Sequence, residues 1–297
     1  MIPVLVSVWL AGCSGSGPTA DAVEIMRRVG CNQDRALQSR LGFVYDQKLF
    51  LQMRRANGKP ARREKREYTV TPAAKGIDKK LTHFEGAYWT HGRMVRYDKP
   101  GYEYKGVDID GSLIDGMAND LTGDKNSRDG IGNGLFPLRT REQQGCLFKL
   151  LGREDYRGRP AYRIGFEPPH DSPGDSGDSG DDGSCGAWKG EALIDAADFQ
   201  PISVETKLAW KIPGMVKVLL GTNIEGLGFS VSYARFGDGV WFPVSYGAEF
   251  HVRAVFFYAR NMSVSLENKD FRQAKTETSI RYHGEASTSP NPQPEKD

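Results

Sequence analysis

Alternating apolar and polar residues cover much of the second half of the chain and predict β-strands. The alternation is clearest in four segments: Ile202–Lys211, Phe229–Tyr233, Phe250–Tyr258 and Met262–Leu266. A period of two places every second side chain on the same face of a strand. Because these strands follow one another and are separated by turn sequences such as Asp238-Gly239, we predict an antiparallel meander with one apolar face.

The first half of the chain begins with a helical pattern. Apolar residues recur at the spacing of one helix face between Thr19 and Arg28, which predicts an amphipathic helix capped by Thr19 or Asp21. Gly30-Cys31 is expected to interrupt this helix, and the helical pattern resumes at 35–41. Strand periodicity takes over from Leu41 onward.

Two irregular segments and a tail divide the strand pattern. The region from Gly106 to Arg141 is rich in Gly, Asp and Asn, with a helical pattern at Leu113–Leu121, and it is typical of a lid or binding loop. Strands are predicted next at Phe148–Leu151 and Ala161–Phe166. An acidic linker then occupies residues 168–185, and the polar composition of residues 284–297 predicts a disordered tail.

A sheet with a single apolar face must cover that face. The N-terminal amphipathic helix provides one cover, and the helical pattern at Leu113–Leu121 provides another. We therefore predict a mainly β fold: an antiparallel half-barrel wrapped around an N-terminal helix, with a few short helices as a lid. Residues 19–283 form a single domain in this interpretation, with the acidic linker inserted.

The N-terminus carries a short apolar run, Ile2–Leu10, that is too short to span a bilayer as a helix. It is followed by Leu10-Ala11-Gly12-Cys13 and then by a string of small residues. This arrangement resembles the lipobox of bacterial lipoproteins. The resemblance implies a signal peptide at 1–12, lipidation of Cys13 by acyl chains such as palmitate, and a flexible tether at 13–18.

Two features bear on that interpretation. No Lys or Arg precedes the apolar run, so either the true start lies upstream or the signal is weak. The alternative is a buried N-terminal strand with a free cysteine. Ser14 rather than Asp follows Cys13, and in lipoproteins this implies sorting to the inner leaflet of the outer membrane, facing the periplasm.

The order of elements and two later segments carry a second resemblance. The segments are Leu151–Ile164, with the turn Tyr156-Arg157-Gly158, and Gly190–Pro201 after the linker. Together with the helix-first order and the lipobox, they resemble the LolA/LolB family of lipoprotein carriers and receptors. The resemblance implies an open half-barrel whose apolar interior holds acyl chains, and it transfers no functional residue to a position in this chain.

The aromatic and apolar strand faces supply the candidate ligand contacts. Either these side chains fill the core, or they line a pocket because a wide sheet encloses more space than side chains fill. The candidates for the pocket lining are Leu208, Trp210, Phe250, Val252, Phe256 and Tyr258.

Charge excludes one class of partner. The formal net charge is +2 for 297 residues, which gives no support to nucleic-acid binding. Basic residues are dense between Arg54 and Arg66, around the turn signals Asn57-Gly58 and Pro60. We interpret them as a solvated hairpin tip, and the alternative is a patch facing anionic lipid head groups.

No motif supports catalysis, a metal ion or a cofactor. Gly174-Asp175-Ser176-Gly177 is similar to the segment around a trypsin-like nucleophile, but it repeats in tandem inside the acidic linker and lacks a histidine partner motif. The five histidines are scattered without zinc-site spacing. Three cysteines, Cys31, Cys146 and Cys185, remain after Cys13. One pair of them is able to form a disulfide in an oxidising compartment, and the sequence does not identify which.

The leading hypothesis is a non-enzymatic, membrane-anchored periplasmic lipoprotein that binds a lipid or a lipoprotein acyl chain in its half-barrel, in lipoprotein or lipid trafficking. The alternative is an envelope adaptor that binds a protein partner and has no lipid cavity.

Overall fold

The computed structural model describes residues 21–73, 76–122, 136–169, 188–208, 222–237, 239–254 and 258–274. The predicted signal peptide at 1–12, Cys13, the tether at 13–18, the tail at 284–297 and nearly all of the acidic linker lie outside these ranges.

Within the described ranges, eleven antiparallel strands form one sheet, and two helices accompany it. The helices are α1 (Ala22–Arg40) and α2 (Ile109–Thr122). The strands are β1 (Phe43–Arg55), β2 (Pro60–Pro72), β3 (Ile77–Thr90), β4 (Arg93–Tyr97), β5 (Leu147–Tyr156), β6 (Arg159–Glu167), β7 (Trp188–Asp195), β8 (Pro201–Leu208), β9 (Thr222–Phe236), β10 (Val240–Ala254) and β11 (Tyr258–Gln273).

The strand order is β4-β3-β2-β1-β11-β10-β9-β8-β7-β6-β5. Every neighbour follows in sequence except β1 and β11, the first and last strands, which pair along their lengths from Phe43–Gln273 to Arg55–Arg260. In the part of the chain that the structure describes, the edge strands β4 and β5 do not pair with each other, so the sheet stays open. The predicted antiparallel half-barrel is confirmed.

Helix α1 is continuous, and the expected interruption at Gly30-Cys31 is wrong. Asp21 caps the helix: its side chain accepts a hydrogen bond from the Val23 backbone N–H at 3.2 Å. A Cβ on Gly30 would lie within 3.1 Å of Thr140 and of the Gln143 side chain. Glycine weakens a helix interior, but here it allows the segment around Thr140 to pack directly on α1.

Helix α2 confirms the helical pattern at Leu113–Leu121 and extends it at both ends. Asp108 precedes the helix, and its carboxylate accepts a hydrogen bond from the Gly111 backbone N–H at 2.9 Å. Ile114, Ala118 and Leu121 are buried at helical spacing. The apolar side of α2 therefore faces the sheet.

Both helices lie on the same face of the sheet, called here the inner face. Helix α1 lies against β5 and β10, whereas α2 lies against β1 and β2. Apolar side chains of the helices and of most strands join in one buried cluster. The N-terminal helix thus fills the half-barrel as expected. Of the helices in the described residues, neither is long and apolar enough to cross a membrane.

The basic run between Arg54 and Arg66 does not form a single solvated hairpin tip. The turn at Asn57-Gly58 is present between β1 and β2, but Arg62 and Arg66 are buried on the inner face. The reason is the alternation of a strand: within β2 every second side chain points inward. The charge density seen in the sequence is therefore divided between the two faces.

Cys31 on α1 and Cys146 before β5 are both disulfide-bonded, and no free cysteine occurs in the described residues. The segments that carry them are in contact. Gln143 donates a hydrogen bond to the Met26 carbonyl at 2.8 Å, five residues before Cys31.

We expect Cys31 and Cys146 to be joined to each other, because this contact already holds their segments together. Peptide mapping under non-reducing conditions should recover that linkage. The variant with Cys31→Ser and Cys146→Ser together should lose about 2–4 kcal/mol of unfolding free energy in urea titrations. Recovery of either cysteine linked to Cys185 would contradict the pairing.

Candidate functional site

A row of side chains crosses the middle of the inner face, one from each of seven adjacent strands. Strand registry places its members side by side. We call it the central row; it consists of Leu49, Leu266, Tyr246, Val231, Val204, Ala192 and Ile164. All seven are buried, and a hydroxyl on Tyr246 is the one polar side-chain group among them. At the spacing of strands in a sheet, the row spans roughly 29 Å.

The inner face changes character at β2. Arg66 pairs with Leu49 and so continues the central row by one strand, and Arg62 and Glu64 are its inward neighbours on β2. With Tyr97 of β4 they form a buried group, called here the charged sector. Arg62 and Glu64 are each about 1% exposed, and Arg66 is 3% exposed.

Hydrogen bonds connect the charged sector internally. The Tyr97 hydroxyl donates to Glu64 Oε1 at 2.5 Å and accepts from Arg62 Nε at 2.7 Å. Arg66 Nε donates to Glu64 Oε2 at 2.8 Å. Because each buried charge has an oppositely charged neighbour, the burial is tolerated. The Arg62 guanidinium also lies 4.7 Å from the centre of the Tyr97 ring.

The same arginines hold the covering segment in place. Arg66 forms an ion pair with Asp115 of α2, and Arg62 forms one with Asp108 just before the helix. A third ion pair joins Arg260 of β11 to Asp110 at 2.9 Å. Helix α2 is therefore fixed to the sheet by three carboxylates as well as by its apolar side.

Burial and these contacts shift several pKa values. Desolvation, reinforced by Glu64, raises the pKa of Tyr97 well above its ordinary range. Desolvation and the neighbouring Asp110 do the same for the pKa of Tyr258. For Arg66, desolvation alone would lower the pKa, but attraction and hydrogen bonding to Glu64 raise it. Both tyrosines therefore stay protonated hydrogen-bond donors, and Arg66 stays charged.

The six residues predicted to line a pocket lie in different environments, and three of their side chains lie outside the described residues. Phe250 and Val252 of β10 are buried in the core on the inner face, 7% and 2% exposed. Tyr258 is half-buried, and its hydroxyl donates to Asp110 Oδ1 at 2.6 Å, so it contacts α2. The side chain of Leu208, together with Trp210 and Phe256, lies outside the described residues. The role of all six as ligand contacts stays a prediction.

Sequence reasoning missed the charged sector. The signal was present in β2, where Arg62, Glu64 and Arg66 stand two residues apart and so share one strand face. Their partners Asp108 and Asp115 follow more than forty residues later and are brought to β2 only by the fold.

Cavities that open along the sheet have mixed linings of apolar and charged side chains. A cavity of about 530 Å³ near β5 includes Lys149, Glu191 and Lys207. Another of about 730 Å³ near β3 includes Lys65, Glu85 and Arg96 and reaches Glu64 and Tyr97 of the charged sector. A third of about 640 Å³ includes Glu205, Phe229 and Val264. Among the described residues, no group of three or more His, Cys, Asp or Glu is placed to hold a metal ion.

We predict that Gly86→Ala disrupts the charged sector. A Cβ at position 86 would lie 2.2 Å from the Tyr97 ring, so the ring must move and its hydrogen bonds to Glu64 and Arg62 break. Overpacking of this kind costs about 1–3 kcal/mol. Urea unfolding monitored by circular dichroism should show the loss.

Gly116→Ala is the matched control. Gly116 lies on the exposed side of α2 with no atom within 4 Å of the added Cβ. Better helix propensity should leave stability unchanged or raise it by up to about 1 kcal/mol. Equal unfolding midpoints for Gly86→Ala and the parent chain would contradict the placement of Tyr97.

No protein-family model matches the chain. A search of curated proteins finds no match either. Solved structures do match. One is a LolA superfamily protein from Nitrosomonas europaea, with 10% identity, a TM-score of 0.30, and coverage of 87% of this chain and 96% of that one. A member of the LolA superfamily is thus among the solved structures that match this chain.

A DUF1329 family protein from Desulfovibrio piger matches with 12% identity and a TM-score of 0.35, again over 87% of this chain and 96% of that one. A structure of lipid–protein interactions in lipovitellin matches with 10% identity and a TM-score of 0.34, over 80% of this chain and 26% of that one. Likeness at this level extends to no functional residue or ligand.

Proposed function

We propose that this chain is a non-enzymatic lipoprotein of the bacterial envelope that binds a lipid or a lipoprotein acyl chain on the inner face of its half-barrel. It is anchored through lipidated Cys13 to the periplasmic side of the outer membrane and takes part in lipid or lipoprotein trafficking.

The observation that carries the proposal is the polarity of the inner face. Seven strands contribute buried side chains to a central row that is apolar apart from one hydroxyl, and the row ends at the charged sector on β2. An amphipathic ligand has the same division, with a polar head and an apolar tail. The row is long enough for an acyl chain, since one chain spans about half of a ~30 Å bilayer core.

Access to the row requires the helices that cover it to move: α1 lies against β5 and β10, and α2 lies against β1 and β2. The ion pair between Arg66 and Asp115 and that between Arg260 and Asp110 are partly open to solvent: Asp115 is 27% exposed and Asp110 is 21% exposed. Partly exposed ion pairs are weaker than fully buried ones because water screens them. Helix α2 therefore acts as a lid over the β1–β2 side of the inner face, next to the charged sector.

We expect bound lipid when the full chain carrying Cys13→Ser is purified without detergent and examined by native mass spectrometry. A stoichiometric adduct, identified by lipid extraction, is the expected result.

Asp115→Asn weakens the lid contact and should speed uptake from phosphatidylethanolamine/phosphatidylglycerol vesicles, whereas Glu24→Gln, which removes an exposed pair on α1, should not. If native mass spectrometry shows only the mass of the protein without lipid after incubation with these vesicles, the proposed function is wrong.

Anchoring is tested separately. Expression of the full chain in bacteria fed radiolabelled palmitate should label it, and Cys13→Ser should abolish the label, because the thiol carries the lipid. Membrane fractionation should then find the parent chain with the outer membrane. Equal labelling of both chains would show that Cys13 is not the lipidated residue.

One observation favours the adaptor alternative. Leu147, Leu150 and Leu151 on the edge strand β5 are 49%, 37% and 45% exposed. Apolar side chains on an open sheet edge provide a surface for a protein partner. Retention of apo mass together with a co-purified envelope protein would favour this alternative.

A further inference from the structure

The hydroxyl of Tyr246 is buried and stands without a hydrogen-bond partner in the part of the chain that the structure describes. Tyr246 is 2% exposed, and its hydroxyl has no hydrogen-bond partner among the described residues. Buried polar groups in folded proteins are nearly always paired, and an unpaired one destabilises the fold. An exception at the centre of a candidate ligand site therefore requires an explanation.

The residues that flank Tyr246 are apolar. Leu266 and Val231 flank Tyr246 in the central row, and the Phe229 ring lies 5.5 Å from its ring. Two other tyrosines that face inward do have partners: Tyr97 donates to Glu64 and Tyr258 donates to Asp110. Phenylalanine at position 246 would satisfy the packing. The hydroxyl is thus an additional group that the described part of the fold leaves without a hydrogen-bond partner.

We propose that the Tyr246 hydroxyl donates a hydrogen bond to an acyl carbonyl oxygen of the bound ligand. This inference rests on the proposed function. It narrows the bound ligand to an acyl ester or a fatty acid, both of which have a carbonyl oxygen, and disfavours a plain hydrocarbon, which has no hydrogen-bond acceptor. Burial raises the pKa of Tyr246, so the group remains a donor at neutral and mildly alkaline pH.

The position of Tyr246 also orients the ligand. Four strand spacings, roughly 19 Å, separate it from Ile164 at the apolar end of the row, a distance similar to the length of an extended acyl tail. Three spacings in the other direction, roughly 14 Å, lead to Arg66 and the charged sector. With the carbonyl at Tyr246, the tail lies toward β6 and the polar remainder of the ligand lies toward β2.

The test compares three probes of the same chain length: methyl palmitate, palmitic acid and hexadecane. Binding is followed by tryptophan fluorescence of the full chain carrying Cys13→Ser, because Trp188 lies 5.0 Å from Phe229 in the same cluster. The chain should bind one or both oxygenated probes more tightly than hexadecane. Tyr246→Phe should weaken that binding roughly tenfold and leave hexadecane binding unchanged.

Two controls keep the test specific. Tyr246→Phe should unfold at the same temperature as the parent chain or higher, since it removes an unpaired buried hydroxyl. Tyr156→Phe, a tyrosine that packs on a separate small cluster, should change no affinity. An infrared measurement gives a readout that needs no variant at position 246. The carbonyl band of ¹³C-labelled methyl palmitate should shift to lower frequency when the probe binds to the chain that retains Tyr246.

The outcomes separate the two proposals. If no probe binds, the proposed function fails. If methyl palmitate and palmitic acid bind but neither responds to Tyr246→Phe, or if hexadecane binds equally well, only the role of Tyr246 is overturned. An unshifted carbonyl band overturns it too. Where the role holds, the stronger of the two oxygenated probes identifies an ester or a free acid as the natural source.

Discussion

The pairing between the first and last strands determines the rest of this structure. β1 and β11 are more than two hundred residues apart in sequence, yet their ladder joins β2–β4 on one side to β5–β10 on the other. Each of these groups is a simple meander of sequential neighbours. Only their junction creates one wide sheet with a continuous inner face. Only a sheet of that width is able to hold the seven-strand central row.

The junction also creates the contrast in polarity on the inner face. Leu49 of β1 contacts an apolar partner, Leu266, on one side and a charged one, Arg66, on the other. The boundary between the apolar row and the charged sector therefore falls between β1 and β2, one strand from the β1–β11 pairing. Charged side chains are tolerated there because the carboxylates that approach from α2 neutralise them.

Helix coverage follows from the same geometry. Helix α1 lies over the apolar part of the sheet and contributes Ile25, Met26 and Val29, all fully buried. Helix α2 lies over β1 and β2 and adds carboxylates to its apolar side. The two covers thus differ in how they are held. Helix α1 is held by apolar packing and by hydrogen bonds along its length, such as that from Asn32 to the Asp198 carbonyl. Helix α2 is held by a smaller apolar surface and by charge pairs that water weakens.

The sequence by itself determined the local elements and the fold class. Periodicity of two identified the strands from Ile202 to Leu266, and periodicity of 3.6 identified both helices, because those patterns depend only on which side chains share a face. It misjudged Gly30, where tertiary contact with Thr140 outweighs helix propensity. It also misjudged the arginines of β2, since charge density along a chain does not reveal which face a strand buries.

Tertiary structure alone decided which strands meet and which charges pair. The β1–β11 ladder, the contact of Asp108 and Asp115 with β2, and the bonded state of Cys31 and Cys146 all join residues distant in sequence. Such contacts depend on how whole elements pack, and no local pattern encodes them. The unpaired hydroxyl of Tyr246 belongs to the same category: a tyrosine in an alternating strand is ordinary, and only the packed inner face, as far as the structure describes it, leaves that hydroxyl without a partner.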